Sequence, residues 1–417
     1  MESASPTLED LSDKKWSLDD LSELLGVDIT SVAIKDGSEV HQSNSESSLL
    51  EMTTSSSKST IVVFAKKVSR YLFPSKKWPD MRRTLCYIRN EIRFYKDYAP
   101  TLVRRGLSVP TLLGSTENFD TLGPDHMHCD PGPQPNLDEP LGGMLFLSFL
   151  PPSSYYQASP LSFSEVCSTL QAIARLHASA WEDVPLLTSL RNSTGIAGSY
   201  TLPNRNPIEL DRVGKNWRKY ITEFESVDPS FCCKPEIVNL GDRVQAIAKW
   251  ISSQLSCTPT TPMATIQHGD FKAMNVFLPK DDGESAVLID FASTGVGLPM
   301  SDVSMHLCHA IPPSLLSSPT SGEDAMLEVY YKQLEHAGVG VDRSKLSRQY
   351  ALGCVDYFRF MTGRFYGFST PSSYEKSAMN RNVSLINRSP EAAFAFAEKV
   401  EGYVRMFEAE VENEVTA

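Results

Sequence analysis

One part of the chain is built to fold back on itself. Val276-Phe277-Leu278 and Ala286-Val287-Leu288-Ile289 are apolar runs, and Asp281-Asp282-Gly283 between them carries a turn signal. A hairpin here returns the chain to its starting end. Asn275 and Asp290, fifteen residues apart, then arrive at the same end. Asp270 lies five positions before Asn275, within the octet His268-Gly269-Asp270-Phe271-Lys272-Ala273-Met274-Asn275. One short loop and one hairpin thus gather two carboxylates and a carboxamide.

The rest of the sequence divides by pattern. Residues 1–15 are polar and read as a disordered tail. Ser17-Leu18-Asp19-Asp20 reads as a capped helix start, with Leu18, Leu21, Leu24 and Leu25 as its apolar face. Thr30–Ile34, a piece around Leu49, Leu50 and Met52, Ile61–Lys67 and Met144–Leu150 read as strands, the last stopped by Pro151-Pro152. Residues 81–97 carry apolar side chains at helical spacing. Pro124 to Pro140 reads as an irregular insertion. Beyond Pro152 the pattern turns helical. Ser164 is a candidate cap for a helix through Val166, Leu170, Ile173 and Leu176. Helical periodicity returns near 209–226, 235–255, 323–336, 345–366 and 390–412, the last with Ser389 as cap and Pro390 at its first position. The expectation is an α+β chain of two lobes: a β-rich N-lobe over 16–150 and a mostly helical C-lobe over 151–417.

Bulk properties narrow the partners. At 417 residues and a net charge of −12 the chain is a poor fit to nucleic acid or to an anionic membrane, so neither is expected. No apolar run is long enough to span a bilayer, and the acidic first residues do not resemble a secretory or organelle address. The eight cysteines lack C-x-x-C spacing and read as reduced thiols of a cytoplasmic protein. His126, His128 and Cys129 lie together, but no second pair follows at zinc spacing.

The gathered oxygens suit one chemistry. A carboxylate such as Asp270 can orient an attacking hydroxyl and take its proton, while Asn275 and Asp290 supply hard oxygens for Mg²⁺ against phosphates. Taken singly, Asp270 and Asn275 are ordinary turn residues and Asp290 an ordinary strand-end cap. Taken together in this order, they point to phosphoryl transfer from ATP.

The same residues carry a family resemblance. His268-Gly269-Asp270 with Asn275 resembles the H-G-D-x-x-x-x-N catalytic loop of the kinase-like superfamily that includes aminoglycoside phosphotransferases, choline kinases and ecdysteroid kinases. Asp290-Phe291 resembles its metal-binding D-F, and Gly297-x-Pro299-x-x-Asp302 the G-x-P-x-x-D that follows. Glu91-x-x-Phe94-Tyr95 and Leu176-His177-Ala178 with Trp181 resemble two helix motifs of the ecdysteroid-kinase-like, or choline-kinase-like, subgroup. The matches span roughly residues 60 to 302.

The resemblance implies a bilobal protein-kinase-like fold that binds ATP and Mg²⁺ and phosphorylates a hydroxylated small molecule. It implies that Lys66 contacts the α/β-phosphates and pairs with Glu91. It places adenine against the backbone of Ser148, Phe149 and Leu150. It makes Asp302 structural, bracing the catalytic loop or capping the next helix, and His268 a loop-fixing residue; on its apolar helix face, His177 reads as a core histidine. Lys272 stands where protein kinases often carry a lysine that neutralises the γ-phosphate; an exposed surface lysine is the alternative.

Two features depart from the pattern. No G-x-G-x-x-G precedes Lys66, and Gly37 is the only glycine in the turn between the first two expected strands. Lys67 directly follows Lys66, and strand alternation, with Lys66 sharing a face with Val62 and Phe64, favours Lys66. Asp356, Tyr357, Arg359, Phe360 and Tyr366 read equally as an acceptor wall and as helix packing. A protein kinase is disfavoured because Gly297-Leu298-Pro299 follows Asp290 too soon for an activation loop. An inactive kinase-fold scaffold is disfavoured by intact Asp270, Asn275, Asp290, Lys66 and Glu91. Acceptor identity and oligomeric state stay open.

Overall fold

The computed structural model describes residues 16–38, 40–41, 45–55, 60–119, 121–122, 134, 139–194, 197–198, 200–281 and 283–416. The tail expected over 1–15 and most of the insertion expected over 124–140, with His126, His128 and Cys129, lie outside them. The chain forms two compact units: one runs to Arg104 and resumes over Val109–Ser154, the other takes Arg105–Ser108 and Tyr155–Ala417.

The first unit is an antiparallel sheet. Its strands are β1 (Ile29–Ile34), β2 (Val40–His41), β3 (Glu46–Thr54), β4 (Thr60–Ser69), β5 (Leu112–Asn118) and β6 (Gly142–Ser148), in the order β1-β3-β4-β6-β5 with β2 on β3. Alternation sets its two faces. Val63 and Ala65 of β4 join Leu50, Met52, Met144 and Phe146 in one apolar cluster. The helix Leu18–Leu25 covers it through Leu21, Leu24 and Leu25, and that helix starts at the expected capping box between Ser17 and Asp20. On the other face lies the helix Trp78–Arg93, where Gly143 leaves room for Ile88 and Ile92. β6 has six buried residues in a row because both its faces are covered. β5 was not expected from sequence: its residues are half-buried, with no alternation to betray them.

The second unit is mostly helical, with three short strand pairings. β7 (Tyr155–Tyr156), β9 (Val276–Pro279) and β10 (Val287–Leu288) form one small sheet; β8 (Thr265–Gln267) pairs with β11 (Gly295–Gly297). The helix Phe163–Ser179 is capped by Ser162 rather than Ser164, because Glu165 stands three residues after Ser162 and closes the box. The helix Arg343–Arg364 is buried along most of its length and packs on the helix Met300–Ala310, where Gly353 admits Ser304. Trp217, Tyr220, Phe224 and Tyr366 stack in the core between further helices. The α+β architecture agrees with the sequence expectation. Among the described residues, no helix is long and apolar enough to cross a membrane.

Candidate active site

The octet sits where β8 ends. Its backbone is held from below by one buried carboxylate. Asp302, in the first turn of the helix Met300–Ala310, accepts the His268 N–H at 2.7 Å and the Gly269 N–H at 2.9 Å. It also lies 3.1 Å from His177 Nε2, while His177 Nδ1 lies 2.7 Å from the Tyr330 hydroxyl. Both Asp302 and His177 are fully buried. His177 is thus a satisfied core histidine, and it links the helix Phe163–Ser179 to the loop through Asp302. Asp302 braces the loop, as its place in the sequence suggested.

His268 fixes the geometry one step further. The Asp270 N–H donates to His268 Nδ1 at 3.3 Å, so that nitrogen is the bare one. The other, Nε2, then carries the proton and donates to the Ile289 carbonyl at 2.8 Å. The ring ties the loop to the residue before Asp290. Gly269 sits at φ +79°, and a Cβ there would collide with the Ser293 carbonyl oxygen. The glycine after His268 therefore answers to a close approach of two backbones.

The hairpin forms as expected. Leu288 pairs with Val276, and the Ile289 N–H donates to the Asn275 carbonyl at 3.0 Å. Asp290 follows at φ +64°, ψ +64°, a left-handed conformation that is strained for a residue with a Cβ. Asn275 is buried, and its Nδ2 donates to the Asp270 carbonyl at 2.8 Å and to Asp270 Oδ2 at 3.3 Å. With Nδ2 so committed, Oδ1 is the atom Asn275 can offer a cation. Lys272 Nζ lies 3.3 Å from Asp270 Oδ2, both side chains about a quarter exposed.

Contacts with no local signal in the sequence complete the loop's support. Phe271 is buried and stacks on His306 at 4.2 Å, and Phe291 lies 4.8 Å from the His268 ring. Gln157 Nε2 donates to the Met274 carbonyl at 2.5 Å. The pairing of β11 with β8 ties the segment after Asp290 down within a few residues. No room is left there for a long activation loop.

In the first unit, Lys66 Nζ meets Glu91 Oε2 at 2.6 Å, with side-chain exposures of 15% and 3%. Lys66 lies on the face away from the Val63–Ala65 cluster, so alternation gives it, and not Lys67, to Glu91. Ser148, at the end of β6, donates its N–H to the Thr111 carbonyl at 2.9 Å and accepts the Thr111 N–H on Oγ at 2.9 Å. Phe149 and Leu150 follow beyond the strand, half-buried.

Four of the five acceptor-wall candidates, Asp356, Tyr357, Arg359 and Tyr366, are buried. Asp356 and Arg359 form a buried ion pair at 2.7 Å, with Arg359 also donating to the Tyr200 carbonyl. Tyr366 belongs to the aromatic core. Among the described residues no three of His, Cys, Asp and Glu gather to hold a metal. Two oxygen donors, Asn275 and Asp290, fit a cation that takes its other ligands from phosphate and water.

Residues 79–326 match the model of the phosphotransferase enzyme family. No curated protein matches significantly. Among solved structures, an aminoglycoside phosphotransferase, so described provisionally, from Ralstonia eutropha is 12% identical, with 90% of this chain and 93% of that one covered at a TM-score of 0.43. A choline kinase from Streptococcus pneumoniae is 12% identical over 91% and 97%, at 0.39. An ethanolamine kinase from Plasmodium vivax is 12% identical over 81% and 79%, also at 0.39.

Proposed function

Since the chain belongs to the phosphotransferase enzyme family, we propose that it moves the γ-phosphate of ATP onto the hydroxyl of a small-molecule alcohol. One observation carries this reading: Asp270, Lys272 and Asn275 are bonded into a single loop, and the hairpin sets Asp290 beside it.

Asp270 orients the acceptor hydroxyl and takes its proton as the new oxygen–phosphorus bond forms and the bond to the β-phosphate oxygen breaks. Lys272 holds the Asp270 carboxylate and offers positive charge to the phosphoryl group in transit. Asn275 through Oδ1 and Asp290 through its carboxylate would hold Mg²⁺. When bound, that ion neutralises phosphate charge and orients the nucleotide. In the first unit, Lys66, positioned by Glu91, would bind the α/β-phosphates. The backbone of Phe149 and Leu150 would receive adenine, since Ser148 commits its N–H to Thr111. Small hydroxylated acceptors fit the short segment after Asp290, which does not supply the platform a peptide needs. A cytoplasmic setting suits the reduced cysteines.

The test is nucleotide binding. Melting of the full-length protein with ATP should rise only when Mg²⁺ is present, and Asp290→Ala should abolish that rise. A metal-independent shift, or none at all, would favour an inactive scaffold.

A further inference from the structure

Arg388 is a buried cation with no anion against it among the described residues. It follows the short turn Leu385–Asn387 and is 7% exposed. Its Nη2 donates to Ser159 Oγ at 2.8 Å and its Nη1 to the Ala378 carbonyl at 3.1 Å. Both acceptors are neutral, and Arg388 Nε meets no partner among the described residues. Asn387 Oδ1, next to it, and His309 Nδ1 are also buried without a partner. Buried polar atoms are nearly always paired, so several unpaired in one neighbourhood mark a place where something polar belongs.

That neighbourhood adjoins Asp270. The helix Met300–Ala310 presents Asp302, His306 and His309 at helical spacing on one face. Asp302 holds the His268 and Gly269 N–H groups, and His306 stacks on Phe271, the residue before Lys272. His309, one turn further on, continues the same stripe. The turn Leu385–Asn387 packs on this helix. A second path leads to the same place. Gln157 is bonded to the Met274 carbonyl in the loop, Ser159 two residues later holds Arg388, and the Leu161 N–H donates to the Ala310 carbonyl at 3.0 Å. Burial holds the Arg388 guanidinium below its ordinary value. Burial first, then the nearby charge of Lys272, pushes His309 down to about 3, so it stays neutral. Lys272 and Arg388 are the cations that act on His309, and Arg381 lies near Arg388 as well.

We propose that the acceptor alcohol carries an anionic group, a carboxylate or a phosphate, and that Arg388 receives it beside Asp270. The proposal rests on the kinase reading and narrows it. Two negative partners, the acceptor and the γ-phosphate, repel each other as they approach, and a buried guanidinium at the acceptor's far end offsets that.

Matched alcohols test it. ADP release by the full-length protein with Mg-ATP is measured with glycerol, choline, glycerate and glycerol 3-phosphate. At least one anionic alcohol should exceed glycerol in kcat/KM, and whether it is glycerate or glycerol 3-phosphate tells carboxylate from phosphate. Arg388→Gln should lower the ratio of anionic to neutral kcat/KM by about 10- to 150-fold, the loss of one charge-assisted hydrogen bond. Arg388→Lys should restore most of it. A merely structural role lowers both rates and leaves the ratio unchanged, which overturns the proposal while leaving the kinase reading intact. So does preference for glycerol or choline. If wild type turns over none of them, the kinase reading is judged by the Mg²⁺-dependent nucleotide test alone, and melting without nucleotide decides the anion site. A rise with glycerate or glycerol 3-phosphate that Arg388→Gln removes supports the site; no such rise overturns it.

Discussion

Asp302→Ala removes the acceptor on which the catalytic loop hangs. Two backbone N–H groups, of His268 and Gly269, lose their partner at 2.7 and 2.9 Å, and His177 loses its own at 3.1 Å. All three lie in a fully buried setting. Each orphaned donor costs about 1–3 kcal/mol. The space left by the carboxylate is lined by donors and can take a water that recovers part of this. The net loss is about 4 kcal/mol, which for a unit of this size lowers Tm by roughly 8–12 °C. Asp302→Asn fills the same space but turns an amide N–H toward a backbone N–H, so it should lose nearly as much. Scanning fluorimetry on the three proteins gives the comparison. A Tm within about 2 °C of wild type for Asp302→Ala would refute the claim that this carboxylate supports the loop.

Lys66→Met removes the ammonium 2.6 Å from Glu91, 3% exposed at its side chain, and should destabilise by about 3 kcal/mol in urea unfolding. Adding Glu91→Gln should recover much of that, and Lys67→Met should cost less; equal losses at Lys66 and Lys67 would be wrong for this account. His306 and His309, both pushed down to about 3 chiefly by burial, give a pH dependence of known sign. Below the ordinary value of 6.5 the unfolded chain binds protons that the folded one refuses, so stability is full above 6.5 and is lost as pH falls from there toward 3. At pH 5 each histidine should have cost about 2 kcal/mol. Urea unfolding between pH 7 and 5 reads this slope, and His309→Gln should roughly halve it.

The sequence shows its local devices more readily than its long-range ones. The Ser17–Asp20 box and the pairing of β9 with β10 are written in neighbouring residues, and both form. The cap of the helix Phe163–Ser179 is Ser162 and not the expected Ser164, because Glu165 stands three residues after Ser162 and closes its box. The helix Met300–Ala310 escaped notice for a physical reason. Its polar residues look solvent-facing, yet every one of its residues is buried, because Asp302 and His306 face the catalytic loop instead of water. Gln157 on Met274 and Arg388 on Ser159 are contacts across 117 and 229 residues, which no local pattern encodes. The residues proposed to carry the chemistry were legible because phosphoryl transfer demands particular atoms at close spacing. The scaffold that aims them was not, since many residues can supply a buried acceptor or a stacking ring.

The central claim is that Asp270 takes the acceptor's proton. Its most direct test is ADP release with Mg-ATP across a panel of alcohols, wild type against Asp270→Ala, with nucleotide affinity measured alongside. The account predicts alcohol-dependent turnover lowered by at least about 100-fold in the variant, with nucleotide affinity nearly unchanged. Turnover in Asp270→Ala close to that of wild type would contradict it.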